Sequence, residues 1–139
     1  MNDLTIPDNR KAIEALQAQM ATMPQVDIKT EHYFCDDMYL RKVSHAAGIL
    51  IVGKVLKKSH FALIAKGRIQ IGRKVLEAGD VMVCSPGTKR AAIALEDSVF
   101  ITIHHTKKKN LDKIEKELTE RDDTALFDAR NEIKAKELT

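Results

Sequence analysis

From Glu31 to Thr106 the chain follows a two-residue period, and this constrains the fold more than any other feature. Ile49, Ile51, Gly53 and Val55 alternate with Leu50, Val52, Lys54 and Leu56. Shorter runs follow at 60-HFALIA-65, 68-RIQIG-72, 80-DVMVC-84, 90-RAAIAL-95 and 98-SVFITIHHT-106. Lys66-Gly67, Ala78-Gly79-Asp80 and Pro86-Gly87 punctuate them, with glycine free to take positive φ. Many short strands at this spacing read as an all-β sandwich or barrel. Their edges must be hidden, and closure into a barrel or jelly roll hides them.

Helical spacing appears only on the two flanks. Between Pro7 and about Met23, Ile13, Leu16 and Met20 line one face and Pro24 ends the run. Pro7 suits a first helical turn. After Lys107-Lys108-Lys109, Asn110 caps a helix whose Leu111, Ile114 and Leu118 share a face. A second C-terminal helix is expected from Thr124, carrying Ala125, Leu126, Ile133 and Leu138. The reading is therefore mainly β: an N-terminal helical arm (1–29), a jelly-roll or β-barrel (30–106) and a C-terminal extension (107–139) with one or two helices.

With 139 residues the chain has one domain's worth of core. A formal charge of +3 is too small to argue for nucleic acid. No apolar run is long enough to span a bilayer as a helix, and the polar N-terminus is unlike a signal peptide. Cys35 and Cys84 lie far apart without CxxC spacing, which points to reduced thiols and a cytoplasmic setting. The positive excess sits on residues 30–106, with eleven Lys/Arg against seven Asp/Glu. That balance suits an anionic ligand, although a solvated β surface is the plainer explanation.

The turn that ends in Arg90 carries a resemblance. Gly79, five residues, Ser85-Pro86-Gly87, two residues, Arg90, three residues and Ala94 reproduce the spacing of the second motif of the cupins. Their first motif closes on Gly67, with His60 seven positions earlier, and Leu56 and Lys54 before it. The stretches 31-EHYFCDDMYLR-41, 53-GKVLKKSHFALIAKG-67 and 86-PGTKRAAIALEDSVFITIHHT-106 resemble small single-domain cupin-like proteins found in bacteriophage genomes. The resemblance implies a cupin barrel, a viral origin and a homo-oligomer (a dimer or larger ring) in host cytoplasm or virion. Cupin metal sites take three His and one Glu, and the corresponding places here hold Lys54, Leu56, His60 and Arg90. Lysine and arginine offer no lone pair and leucine offers nothing, so a metal-free cupin without cofactor is expected.

In that register Arg90 reaches the barrel mouth, where a desolvated guanidinium needs an anion. The plainer alternative is a salt bridge to Glu77, Glu96 or Asp97. His60 alternates in phase with Ala62 and Ile64, and His104 with Phe100 and Thr102, while His105 takes the opposite face. Which face is interior is open. Tyr39 and Arg41 share a face of an early strand and could wall the pocket, although an exposed edge strand is the plainer reading. The ligand-binding candidates are Arg90, His60, His104, Thr102, Lys54, Tyr39 and Arg41, and the ligand class is a small anion such as a nucleotide or sugar phosphate. Two other classes stay open: a virion or host-interaction protein, and a sugar isomerase or epimerase using His60 as base. Fold alone does not choose among them.

Overall fold

The computed structural model describes residues 6–134. Helix α1 (Arg10–Met20) is capped by Asn9, whose Oδ1 accepts the Ala12 N–H at 2.9 Å. Pro7 therefore precedes the helix and does not form its first turn. Nine strands follow: β1 (Thr30–Cys35), β2 (Met38–His45), β3 (Leu50–Val52), β4 (His60–Lys66), β5 (Arg68–Ile71), β6 (Lys74–Glu77), β7 (Val81–Cys84), β8 (Ala91–Ala94) and β9 (Ser98–His105). They form a five-stranded antiparallel sheet in the order β1-β2-β9-β4-β7 and a four-stranded one in the order β3-β8-β5-β6. Helix α2 (Leu111–Leu118) follows, capped by Asn110.

Three apolar clusters fix these layers. Ile64, Ile69 and Ala94, with Phe100 and Ile71 against them, fill one end between the sheets. Ile13 on α1 packs with Ile6 and Ala91 against Leu50, Val52 and Ile93, so α1 covers the β3–β8 side of the four-stranded sheet's outer face. Ile114 and Leu118 on α2 bury Tyr39 with Phe34, Leu56 and Leu111, and so cap the other end. At the β4–β5 turn Gly67 has φ +82°, and a Cβ there would lie 2.2 Å from Ser98 Oγ and 2.6 Å from the Asp97 carbonyl oxygen. Only glycine fits.

Two expectations are corrected, and one strand was missed. The alternating run 49–56 is a strand only over Leu50–Val52; from Gly53, whose N–H bonds the Arg90 carbonyl at 2.9 Å, it becomes loop along the interior. Strand β6 was not legible, because Lys74, Val75 and Glu77 are exposed and only Leu76 turns inward. No second helix starts at Thr124 among the described residues. Asp122 Oδ1 accepts both the Thr124 N–H (2.9 Å) and hydroxyl (2.6 Å), and Asp128 Oδ1 accepts the N–H groups of Arg130 and Glu132. Such local bonds compete with helix formation. The segment instead turns back through a bridge between Phe127 and Ile133, with Asn131 at φ +64°. Leu138 lies outside the described residues.

Candidate functional site

The sheets enclose a cavity of about 210 Å³ that opens beneath α2 and the 125–131 segment. Its wall follows from the register of the five-stranded sheet. Phe34 pairs with Tyr39, Tyr39 with His104, and His60 with Cys84, so one row of side chains crosses the sheet. The row below runs Arg41, Thr102, Ala62 and Met82. A period of two puts both rows on one face, and that face is the interior. Tyr39, His104, His60, Arg41 and Thr102 therefore meet, and Lys54 and Arg90 reach the same space from the facing sheet and its loops. His105 is exposed on the other side. Strand β2 is internal, flanked by β1 and β9, which corrects the edge-strand reading of Tyr39 and Arg41.

The upper row is a stack of flat rings. Phe34 and His32 lie on Tyr39 with centroids 5.3 and 5.8 Å away, Tyr39 on His104 at 5.7 Å, and His104 on His60 at 4.7 Å. His32 Nε2 lies 3.3 Å from the Arg130 carbonyl oxygen, which can only accept, so that nitrogen carries the proton. Nδ1 then accepts the Tyr39 hydroxyl at 2.6 Å. His104 Nε2 meets Thr102 Oγ1 at 2.9 Å. Burial, with His60 and Arg41 adding, holds the His104 imidazole down at about 3. His60 is lowered by burial and by Arg90, against the Lys58 backbone. Both rings are neutral at neutral pH. Burial also raises the Tyr39 phenol and, against Arg90, the Cys84 thiol, which leaves that cysteine unreactive.

The cations are less settled. Lys54 Nζ lies 3.0 Å from Glu115 Oε2; burial lowers this lysine and the carboxylate works against that. Arg41 Nε is removed from solvent and has no hydrogen-bond partner among the described residues. Burial works against its charge, and Tyr39 and Glu115 offset this only in part. Arg90 makes no ion pair among the described residues: Glu96 pairs with Arg68 at 3.4 Å, and Asp97 Oδ1 accepts the Ala47 N–H. The expected alternative bridge is not formed. His60 Nδ1 is a second buried polar atom without a hydrogen-bond partner among the described residues.

Two features escaped the sequence. Glu115 lies one helical turn after Leu111 on the apolar face of α2, and an acid within an apolar stripe was the available signal. Lys89, not Arg90, is the most deeply buried cation of the turn, with a side chain 3% exposed. Its Nζ donates to Asp122 Oδ2 at 3.2 Å and to the Gly53 carbonyl oxygen at 3.3 Å. The buried Gln17 of α1 donates to the same carboxylate and to Thr124 Oγ1. Strand parity could not show this, because Lys89 precedes β8 in a turn.

Structural neighbours share this architecture. KdgF from Halomonas sp. superposes with a TM-score of 0.52 at 19% identity, over 60% of this chain and 84% of that one. An RmlC-like cupin from Shewanella frigidimarina gives 0.50 at 19% identity, over 59% and 78%. A cupin superfamily protein from Desulfitobacterium hafniense gives 0.50 at 14% identity, over 62% and 85%. The fold is a cupin fold. No family model and no curated protein matches the sequence. The residues do not fit the metal that cupins often hold: among the described residues no three His, Cys, Asp or Glu side chains converge. His60 and His104 stack ring on ring, and Lys54 and Arg90 bring charge without lone pairs. No helix of the described residues is long and apolar enough to cross a membrane.

Proposed function

We propose that this cupin barrel binds a small anion in its cavity without transforming it. The observation that carries the reading is Arg41, whose buried Nε meets no acceptor among the described residues, inside a cavity that Arg90 also lines with no carboxylate partner among them. A buried donor left without an acceptor costs about 1–3 kcal/mol, and a bidentate phosphate or carboxylate on the guanidinium would offset that cost. Neutral His60, His104 and Thr102 supply hydrogen-bonding atoms beside it, and the stacked rings give a flat apolar wall. A volume of about 210 Å³ is below the usual range for drug-sized ligands. This favours a sugar phosphate over a nucleotide. In the bacteriophage setting that the sequence segments imply, such a barrel would sequester a host metabolite. Isomerase chemistry fits less well, because among the described residues no carboxylate orients His60, the candidate base, and its stacked neighbour His104 is held at about 3.

Calorimetric titration with sugar phosphates, mononucleotides and inorganic phosphate tests this. Saturable binding of a sugar phosphate is expected, weakened about 10–100-fold by Arg41→Ala or Arg90→Ala, as for loss of a charge-assisted hydrogen bond. Without ligand, Arg41→Leu should be neutral or stabilising by about 1–2 kcal/mol. Silence across the panel, or affinity indifferent to both arginines, overturns the proposal.

A further inference from the structure

Among the described residues the cavity is lined by three cations, Arg41, Lys54 and Arg90, and two acids, Glu115 and Asp128. His60 and His104 add no charge at neutral pH. Asp128 is matched by Arg130 at 3.0 Å, and its Oδ1 accepts two backbone N–H groups. Glu115 is different, because its Oε2 lies 3.0 Å from Lys54 Nζ within the lining. The other acids of α2 stay at the surface: Glu117 faces Lys58 and Lys108, and Asp112 faces Arg130. Nor is the Lys54–Glu115 pair needed to seat the helix. Ile114 and Leu118 bury it against Tyr39, and the Lys57 and Glu120 N–H groups bond the Leu118 and Val55 carbonyl oxygens at 2.7 and 2.9 Å. A partly exposed ion pair adds little to that.

We infer that Glu115 sets the charge the cavity selects: by neutralising Lys54 it leaves the guanidinium groups of Arg41 and Arg90 as the free charge, so the site takes a dianionic phosphomonoester in preference to a monoanion such as a carboxylate, a sulfate ester or a phosphodiester. The inference rests on the anion-binding reading and adds to it the ligand's charge and the residue that fixes it. A dianion gains twice the Coulomb energy of a monoanion of the same shape from the same cations. Two guanidinium groups also offer enough paired donors for the three oxygens of a monoester. Glu115 is a positioning residue, since it touches Lys54 and acts on a ligand through that ammonium. The two side chains are 33% and 19% exposed, so solvent moderates the effect without removing it.

Calorimetric titration of the full chain with glucose 6-phosphate and glucose 6-sulfate tests it, at about pH 8 where the phosphate ester has lost its second proton. The two esters share a shape and differ by one charge. The phosphate ester should bind at least about tenfold tighter. Glu115→Gln keeps the size and frees the Lys54 charge, so it should tighten the phosphate ester by roughly 3–10-fold and widen its lead over the sulfate ester. Lys54→Met should weaken the phosphate ester more than the sulfate ester, and the double variant should lie between the two. A merely structural Glu115 would instead give parallel losses for both esters. Equal affinity for the esters, or a Glu115→Gln variant that binds the phosphate ester no tighter than wild type, overturns this inference; if Arg41→Ala still weakens binding, the anion site itself stands. Binding of neither ester overturns both. Should Glu115→Gln fail to fold, Lys54→Met decides, and equal losses for the two esters or none refute the role of the pair.

Discussion

Replacing Asp122 probes what holds the C-terminal segment over the cavity. The carboxylate accepts from Lys89, Gln17 and both donors of Thr124, and so ties α1, the β7–β8 turn and the chain after α2 together. Burial opposes its charge, yet the hydrogen bonds from Thr124, Gln17 and Lys89 hold the acid well below the usual carboxylate range. Removing one partner of a buried pair costs about 3–5 kcal/mol because the other charge is stranded. The Asp122 side chain is 20% exposed and Lys89 keeps the Gly53 carbonyl, so the lower end applies. Asp122→Ala should therefore lose about 3 kcal/mol, a fall of roughly 6–12 °C in Tm. Asp122→Asn keeps the acceptor to Thr124 and should lose about 2 kcal/mol, with a similar coupling to Lys89→Met in a double-mutant cycle. The pH dependence follows from the lowered folded-state value. The contribution is complete above the unfolded carboxylate value of about 4 and disappears as pH falls from there through the folded value. Urea unfolding at pH 7 and at about pH 3 should thus show the wild-type advantage over Asp122→Asn shrinking with acid. Equal stabilities at pH 7, or a gap that does not narrow, refute the reasoning.

Two further outcomes follow from the barrel. Because His104 is held at about 3 in the fold and returns to about 6.5 on unfolding, the unfolded state binds the extra proton between those values. Stability should fall as pH drops through that window, and His104→Phe should flatten the slope in urea titrations. At Gly67, where an added Cβ meets backbone of Asp97 and Ser98, Gly67→Ala should cost more than 2 kcal/mol; Gly79→Ala, with nothing within 4 Å, should cost only the strain of φ +97°, about 1 kcal/mol. Thermal denaturation of the two variants side by side checks the difference.

Much of the architecture was legible because a strand's side-chain period is local. Parity alone placed Tyr39 with Arg41, and His104 with Thr102, before any pairing was known. The turn glycines and the cap at Asn110 were equally local signals. Which parity faced inward was decided by which strands became neighbours: β2 lies beside β9 and β9 beside β4, pairings between residues tens of positions apart. The same long-range contacts put Lys89 against Asp122 and Lys54 against Glu115, and left Arg41 with a buried nitrogen that meets no acceptor among the described residues. Charge compensation depends on distance in space, so no reading along the chain could separate the neutralised Lys54 and Lys89 from Arg41 and Arg90, which have no ion pair among the described residues. The alternation of side chains belongs to the sequence; the cavity and its unbalanced charge belong to the tertiary structure.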